Sequence, residues 1–261
     1  MAIPLFALLF LSVPLPSKPA LVKVDVHVGD HGPYRFLVDT GAESSLIHTG
    51  LAAELGLRPQ FRVELVTVNG TRFAPGLHLR NLRLGSATLP DTEILFHDLA
   101  EARKLDPAIQ GVLGTNALAQ FSFQLTPSTG KLEPAAARPA TGEIIPFSLL
   151  EGRIAIQARM GEETLPLILD SGASHVVLFR TPVAMAKTKS IPSAVSTLDG
   201  ARNVVPTVWT ADMTFSSRLR VGMLPAAIIR RSEGKAVGLL PASVFKRIYV
   251  DRERSELVVE R

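Results

Sequence analysis

Two acidic residues in this sequence stand at the ends of apolar segments and are each followed by a hydroxyl residue and a glycine. Asp39 opens the run Asp-Thr-Gly-Ala, and Asp170 opens the run Asp-Ser-Gly-Ala. Three apolar residues precede each acid, a pattern typical of a buried strand. A carboxyl group at the end of such a strand is costly to ionise, and it is tolerated where something nearby uses or satisfies it. This placement predicts a functional role for both acids.

Two such carboxyl groups, if the fold brings them together, are suited to adding water to an amide. Like charges in contact cannot both ionise easily, so the pair would share one proton. The ionised group would take a proton from a bound water while the protonated group donates to the carbonyl oxygen. This chemistry needs no metal, no cofactor and no covalent intermediate.

The residues that follow each acid have a predicted supporting role. Thr40 and Ser171 each supply a hydroxyl that can tie one loop to the other. Gly41 and Gly172 allow the backbone to turn sharply after the strand. We therefore expect the two loops to brace each other across a pseudo-twofold axis.

The segments around Asp39 and Asp170 repeat along the chain in the same order. An alternating apolar strand lies before each acid, at residues 22–28 and 154–160. Such a repeat indicates two copies of one structural unit. Most other segments are short, apolar and bounded by turns, with a helical stretch near residues 48–57, so we expect a mainly β protein.

A predicted hairpin follows each acid at a matching distance. Asn69-Gly70 and Asp199-Gly200 are the dipeptides that most strongly indicate tight hairpin turns. The spacing from the first acid to Gly70 and the spacing from the second acid to Gly200 differ by a single position. We expect both hairpins to cover an extended substrate.

The repeat also sets the predicted domain organisation. A Pro- and Ala-rich stretch at residues 134–142 has linker composition and places the boundary near residue 138. We expect an N-terminal lobe at residues 21–138 and a C-terminal lobe at residues 139–261. Residues 1–20 contain a short apolar run of the length of a secretory signal and predict export to the periplasm or the medium, with an uncleaved membrane anchor or an N-terminal strand as the alternatives.

Composition narrows the functional classes. Of the 261 residues, 46% are hydrophobic and 20% charged, which is ordinary for a globular protein. The absence of Cys excludes a disulfide framework, a thiolate metal site and a cysteine nucleophile. The six His show no zinc-ligand spacing, and the net charge of +4 comes without the aromatic interleaving of a nucleic-acid binder. We expect no metal, no cofactor and no nucleic acid, and a monomer acting on a peptide or protein in extended conformation.

The two motifs resemble the catalytic loops of aspartic peptidases, and more closely those of the retropepsin-like branch than those of the pepsins. In this resemblance Asp39 and Asp170 match the two catalytic aspartates. The stretch Gly-Val-Leu-Gly-Thr-Asn at residues 111–116 resembles the apolar stretch that threads beside a catalytic loop in the retroviral enzymes. The resemblance covers residues 21–261 and implies a bilobal aspartic-protease fold, double-ψ β-barrel-like, with two retropepsin-like units in one chain. It implies an aspartic endopeptidase.

Several positions depart from the family pattern. Pro241 stands where the second apolar stretch should have Gly, which changes backbone freedom beside the second loop. Thr115 occupies the place of a viral Arg, and Glu43 the place of the Asp that pairs with it, so that internal ion pair is missing. Ala42 and Ala173 carry no hydroxyl to stabilise an ionised carboxyl pair, so we expect a mildly acidic activity optimum.

Two other readings of the same residues stay open. Both motifs could be Asx turns after strands, with Gly chosen for its backbone freedom. Alternatively, the chain could keep this bilobal fold and capture extended peptides without cutting them. The distance between the two carboxyl groups distinguishes these readings from a peptidase.

Overall fold

The computed structural model describes residues 2–4, 10–11, 20–67, 70–134, 137–185, 189–196, 202–229 and 235–261. The strands of the N-terminal half are β1 (Ala2–Pro4), β2 (Phe10–Leu11), β3 (Lys23–Val28), β4 (His31–Val38), β5 (Ser45–His48), β6 (Phe61–Thr67), β7 (Gly70–Leu84), β8 (Ala87–His97), β9 (Ile109–Leu113), β10 (Phe123–Thr126) and β11 (Lys131–Pro134). Those of the C-terminal half are β12 (Glu143–Leu150), β13 (Arg153–Met160), β14 (Glu163–Asp170), β15 (Val176–Leu178), β16 (Ile191–Ser196), β17 (Arg202–Trp209), β18 (Met213–Thr214), β19 (Arg220–Val221), β20 (Pro225–Ile228), β21 (Gly238–Pro241), β22 (Arg247–Asp251) and β23 (Glu256–Glu260).

Helices are few and short. They are α1 (Thr49–Glu54), α2 (Ala100–Leu105) and α3 (Thr115–Leu118), with 3-10 turns at Val183–Met185 and Ala242–Val244. The first helix falls within the stretch predicted as helical from the sequence. The other two were not predicted, because one or two helical turns contain too few residues to show a clear 3.6-residue period.

Six strands of the N-terminal lobe close into a barrel. The sheet order is β1-β6-β7-β3-β4-β9-β5-β8, and β7 also pairs with β8, which joins the two ends of the six-stranded part. In this barrel β9 runs parallel to β4 and antiparallel to β5. The chain thus passes a later strand between two earlier ones, directly beside the end of β4.

The C-terminal lobe repeats the arrangement of strands around its acid. Here β13, β14, β21, β15, β20, β17 and β16 follow one another, and β21 again lies parallel to β14 and antiparallel to β15. The predicted repeat in the sequence therefore corresponds to a repeated topology. The prediction of a mainly β protein with two similar lobes is confirmed.

The two lobes share a sheet. The hairpin formed by β10 and β11 belongs to the first half of the sequence, yet β10 pairs with β22, and β22 continues through β23 and β12 into β13. Phe123 and Leu125 of β10 and Ile248 of β22 lie fully buried in this sheet. This shared sheet fixes one lobe relative to the other, which is necessary if residues from both are to form one site.

Backbone pairing also links the N-terminal segment to the two predicted substrate-covering hairpins. Strand β1 runs parallel to β6, with Ala2 opposite Glu64, and β2 runs antiparallel to β16, with Leu11 opposite Val195. The outer edges of both hairpins therefore accept an added strand.

Over the described part of the chain, no helix is long and apolar enough to cross a membrane.

Candidate active site

Each of the two acids stands at the end of a central barrel strand. In the first lobe Asp39 directly follows β4, and its N–H donates to the carbonyl of Leu113 in β9 at 2.9 Å. In the second lobe Asp170 ends β14 and lies opposite Pro241 of β21. Both side chains are almost fully buried, at 1% and 2% exposure.

Glycines allow the strands to approach this closely. A side chain at Gly111 would place a Cβ 2.1 Å from the ring of Phe36, and one at Gly238 would place it 2.1 Å from the carbonyl oxygen of Val177. The threading of β9 and β21 beside the acids therefore needs glycine at these two positions. Sequence reasoning singled out both stretches but not this reason.

Thr40 and Ser171 join the two loops through four hydrogen bonds. The N–H of Thr40 donates to Ser171 Oγ at 3.0 Å, and the N–H of Ser171 donates to Thr40 Oγ1 at 2.9 Å. In turn, Thr40 Oγ1 donates to the carbonyl of Leu169 at 2.7 Å, and Ser171 Oγ donates to that of Val38 at 2.8 Å. Each hydroxyl thus both accepts and donates across the lobe interface, so the two acids cannot separate without breaking this network.

Backbone N–H groups hold both carboxyl groups in the same way. Asp39 Oδ1 accepts from the N–H of Gly41 at 2.9 Å and from that of Ala42 at 3.1 Å. Asp170 Oδ1 accepts from the N–H of Gly172 at 2.7 Å and from that of Ala173 at 3.0 Å. These bonds fix the rotation of each carboxyl group and leave its other oxygen directed elsewhere.

The two carboxyl groups lie within hydrogen-bond reach of each other. A Cβ at Gly41 would fall 2.4 Å from Asp170 Cγ, so the first loop packs directly on the second carboxyl group. Asp39 Oδ2 is buried and finds no N–H or O–H donor among the described residues. A proton shared with Asp170 would satisfy this oxygen.

Burial and mutual repulsion make both acids weaker than ordinary ones. Burial, followed by the charge of Asp170, holds the pKa of Asp39 well above its usual value, against the N–H bonds of its own loop. Burial raises the pKa of Asp170 to about 6, opposed by its two N–H bonds and by the charge of Arg153. The pair therefore keeps one proton over a wide pH range.

The first loop has more support than the second. Thr115, which stands where the retroviral pattern has Arg, donates its hydroxyl hydrogen to the carbonyl of Ala42 at 3.0 Å, and its N–H donates to the same oxygen at 2.9 Å. The matching residue beside the second loop is Ala242, which has no hydroxyl. Pro241 adopts an extended conformation, with φ −58 and ψ 132, and β21 still pairs with β14 up to this residue.

The predicted substrate-covering turns are described only in part. Strands β6 and β7 form the first hairpin, with Thr67 opposite Gly70, and strands β16 and β17 form the second, with Ser196 opposite Arg202. Asn69, Asp199 and Gly200 lie outside the described residues. The role of both turns in covering a substrate stays a prediction.

Sequence reasoning missed a buried cation near the site. Arg153, the first residue of β13, is 0% exposed and forms an ion pair with Glu151. When the two repeats are aligned so that Asp39 matches Asp170, Arg153 falls at the position of Val22. This mismatch between an Arg and a Val was the signal in the sequence that could have drawn attention to it.

Other reactive groups in the described regions do not form a second recognisable centre. Ser174 Oγ lies 2.9 Å from Nδ1 of His175, and burial lowers the pKa of this His. Within the described residues, no group of three or more His, Asp or Glu side chains has the arrangement of a metal site.

Comparisons with known proteins give one family match and several structural similarities. A family model described as aspartyl protease matches residues 24–117, a segment that contains Asp39. A search of the curated proteins finds no match. Among solved structures, a retropepsin-like aspartic protease from Rickettsia conorii is similar over 45% of this chain and 92% of its own, with 17% identity and a TM-score of 0.32.

Two basic 7S globulins are also similar in structure. The match to basic 7S globulin from soybean covers 97% of this chain and 94% of the globulin, with 12% identity and a TM-score of 0.48. The match to conglutin gamma, a basic 7S globulin from lupine seeds, covers 98% and 95%, again with 12% identity and a TM-score of 0.48. The family model thus agrees with the resemblance seen in the sequence: residues 24–117, which include Asp39, match the aspartyl protease family.

Proposed function

We propose that this protein is an aspartic endopeptidase in which Asp39 and Asp170 activate a water molecule. The family match supports a protease-type function. The observation that carries the finer proposal is the contact between the two buried carboxyl groups, held in matching geometry by two symmetric loops. Ordinary Asx turns would explain the N–H bonds within each loop, but not the meeting of two acids from opposite lobes.

The geometry supports a division of labour within the pair. One carboxyl group, when ionised, accepts a proton from a water bound between the two acids. The other, when protonated, donates to the oxygen of the scissile amide as the water oxygen forms its bond to carbon. The tetrahedral intermediate then collapses: the carboxyl group that took the proton of the water gives it to the leaving nitrogen, the C–N bond breaks, and the hydroxyl formed on the carbonyl oxygen returns its proton to the other carboxyl group. The backbone N–H groups of Gly41 and Gly172 hold the carboxyl groups in position throughout.

An extended peptide is the substrate that suits this architecture. Strands β1 and β2 already pair with β6 and β16, which supports the capacity of both hairpins to bind additional backbone in β conformation. Phe73 on β7 and Val204 on β17 are 73% and 74% exposed on the two hairpins. These apolar side chains favour a peptide that carries hydrophobic residues.

Digestion of an unstructured peptide library tests the proposal. The full chain would be incubated with the library from about pH 4 to pH 8, the range in which the carboxyl pair titrates, beside Asp39→Asn and Asp170→Asn. Cleavage by the parent protein that both variants lose, and that a statine-type inhibitor blocks, is the expected result. Asp30→Asn, at an exposed turn residue, is the matched control and should cleave as well as the parent protein.

The second candidate is a protein that binds extended peptides without cutting them. The same hairpin edges that accept β1 and β2 favour it. A folded parent protein that retains peptides on an affinity column but cleaves none of them across the pH range would establish this candidate and overturn the peptidase.

We also propose export, on the basis of the apolar run near the N-terminus alone. Expression of the full chain in a bacterial host, followed by cell fractionation and mass spectrometry of the N-terminus, tests it. Recovery of a chain shortened near residue 20 outside the cytoplasm supports export. Recovery of the full-length chain in the cytoplasm contradicts it.

A further inference from the structure

Arg153 is the largest fully buried side chain in the described part of the protein, and it is a cation. It follows the two-residue turn Glu151-Gly152, which joins β12 to β13 with φ values of +52 and +75. Such a turn suits a hairpin but is strained for a residue other than Gly at its first position. The Glu151 carboxylate forms an ion pair with Arg153 and accepts the N–H of Lys235 at 2.8 Å. Strained residues are concentrated at functional sites. The ion pair between the strained Glu151 and the buried Arg153 therefore makes Arg153 a candidate functional residue.

The strand register places Arg153 and Asp170 on the same face of the sheet. Strands β13 and β14 are antiparallel, with Ala155 opposite Ile168. Continuing this register by two residues sets Arg153 opposite Asp170. Residues directly opposite in an antiparallel pair have side chains on the same face, with Cβ atoms about 4.5–5.5 Å apart.

The first lobe has no equivalent cation among its described residues. Lys23 lies opposite Leu37 in the antiparallel pair of β3 and β4, and continuing this register by two residues sets Leu21 opposite Asp39. The residue at the repeat position of the buried cation is Val22, which is itself buried. The two acids thus share matching loops and matching N–H bonds, but in the strand register one of them has an arginine opposite and the other has a leucine.

Acidic groups around Arg153 determine how strongly its charge stabilises the ionised form of Asp170. Glu43, in the first loop, extends across the lobe interface, where its Cγ lies 3.1 Å from the position of a Cβ on Gly152. Burial raises the pKa of Glu43, as do the nearby charges of Glu151 and Glu93, while Arg153 lowers it. An ionised Glu43 competes with Asp170 for the field of this cation, and the rise in the pKa of Glu43 weakens that competition.

We propose that Arg153 is the positioning residue that makes the carboxyl pair unequal: it keeps Asp170 as the ionised partner and leaves the shared proton on Asp39. The inference rests on the proposed function for its catalytic meaning, since Asp170 would then accept the proton of the attacking water and Asp39 would donate to the amide oxygen. Both oxygens of Asp170 then act as acceptors, and the proton of Asp39 lies on the oxygen that otherwise has no donor, Oδ2.

The directions of the two titrations agree with this assignment. Burial affects both acids, yet the charge of Arg153 opposes the rise in pKa only at Asp170, whose pKa reaches about 6, while that of Asp39 is raised well above its usual value. The hydrogen bond between the two acids acts in opposite senses, lowering the pKa of Asp170 and raising that of Asp39.

A titration that needs no catalysis tests the proposal. The full chain would be labelled with ¹³C at aspartate carboxyl carbons and followed by NMR from about pH 3 to pH 9, with signals assigned through Asp39→Asn and Asp170→Asn. In the parent protein we expect the carboxyl signal of Asp170 to shift at the lower of the two apparent pKa values of the pair. In Arg153→Met, which keeps much of the volume and removes the charge, we expect the Asp170 response to rise by about one pH unit or more.

Three further variants make the result decisive. Arg153→Lys keeps a charge and should restore most of the difference between the two titrations. Glu43→Gln removes a competing anion, so it should lower the Asp170 response, the opposite direction to Arg153→Met. Arg138→Met is the matched control, because Arg138 pairs with Asp251 and with Glu256, at 2.6 Å for the latter, on the strands of the shared sheet. Arg138→Met should leave the apparent pKa values of Asp39 and Asp170 unchanged.

The outcomes distinguish failure of this inference from failure of the proposed function. Unchanged aspartate titrations in folded Arg153→Met, or in Glu43→Gln if the Met variant does not fold, would overturn the inference even if the protein cleaves peptides. Unequal titrations that respond to Arg153 in a protein without any cleavage would retain the inference and reject the peptidase. Where cleavage is present, the acid limb of kcat/KM should move upward in Arg153→Met together with the Asp170 signal.

Discussion

Thr40 and Ser171 exchange hydrogen bonds in both directions, each donating its backbone N–H to the hydroxyl of the other at 3.0 and 2.9 Å. The two residues come from different lobes and occupy equivalent positions, one residue after each acid. Because each hydroxyl also donates to a carbonyl of the opposite lobe, the contact is a closed network. Such a network keeps the carboxyl groups of Asp39 and Asp170 at a fixed distance although their charges repel each other.

Removing one hydroxyl from this network should destabilise the protein. In Thr40→Val, the carbonyl of Leu169 loses a buried partner and the N–H of Ser171 loses a partly buried one. A buried unsatisfied group costs about 1–3 kcal/mol and a partly buried one costs less, so we expect the free energy of unfolding to fall by about 2–4 kcal/mol. Urea denaturation measures it. Thr40→Ser keeps the hydroxyl and should lose much less, and equal stability of the two variants would contradict the closed network.

A methyl group at Gly41 should separate the two acids. The added Cβ would lie 2.4 Å from Asp170 Cγ, well inside van der Waals contact. We expect Gly41→Ala to fold with reduced stability and to lose at least about a hundredfold in kcat/KM, because a displacement of about 1 Å in a catalytic group has an effect of that size. Gly222→Ala is the control, since its Cβ would be 3.9 Å from the nearest neighbouring atom, Asp212 Oδ1. Full activity in Gly41→Ala would exclude this packing.

The raised pKa of Asp170 predicts a trade-off between stability and function. A carboxyl group whose pKa is about 6 in the folded protein and ordinary in the unfolded chain binds more protons when folded, so its contribution to stability is greatest below pH 4 and declines as pH rises through about 6. From a rise of about two pKa units, Asp170→Asn should be more stable than the parent protein at pH 7 by about 2–3 kcal/mol. Thermal denaturation at pH 4 and pH 7 measures this difference.

The control for that experiment is the exposed Asp30. Asp30→Asn should leave the stability at both pH values within about 0.5 kcal/mol of the parent protein. If Asp170→Asn were no more stable than the parent at pH 7, the carboxyl pair would not carry the repulsion and burial described above.

His175 has the opposite effect on the pH dependence of stability. Burial lowers its pKa in the folded protein, so below about pH 6.5 the unfolded chain binds the additional proton. Its contribution to stability is present at neutral pH and is lost as pH falls. We expect His175→Gln to lose stability less steeply than the parent protein between pH 7 and pH 5.

Chemical denaturation at intervals of half a pH unit would detect this difference. The exposed His31 provides the control, and His31→Gln should follow the parent curve. A parallel course of the His175→Gln and parent curves would show that His175 does not titrate differently in the folded and unfolded states.

The acid limb of the activity profile follows from the same site. Ionisation of one carboxyl group is required for water activation, and the pKa of Asp170 is about 6. We expect kcat/KM to fall tenfold per pH unit below about pH 6. Initial rates on one good library peptide, measured in buffers of constant ionic strength, check this. Full activity at pH 4 would contradict the raised pKa.

Much of the fold and the centre of the site follow from local patterns. The alternating strands around Val26 and Ile156, and the two apolar runs that end in Asp39 and Asp170, all lie within short windows of sequence. The local sequence is enough to predict these elements, because side-chain alternation favours a strand and a Gly after the acid permits the turn. The same order of windows in both halves then predicts two like units, and the structure has them.

Tertiary structure alone decided what surrounds the two acids. Period-two alternation predicts which side chains share a face of a strand, but not what covers each face. Most of β13 is buried on both faces. Arg153 is therefore buried, although the sequence pattern predicts that it faces solvent. The pairing of β10 with β22 and the approach of Glu43 to Gly152 join residues that are far apart in the chain. The sequence determined that there are two equivalent acids. Only the packing of one lobe on the other decided that they meet and that a single buried cation makes them unequal, because burial and charge depend on every neighbour in space and not on the neighbours in the chain.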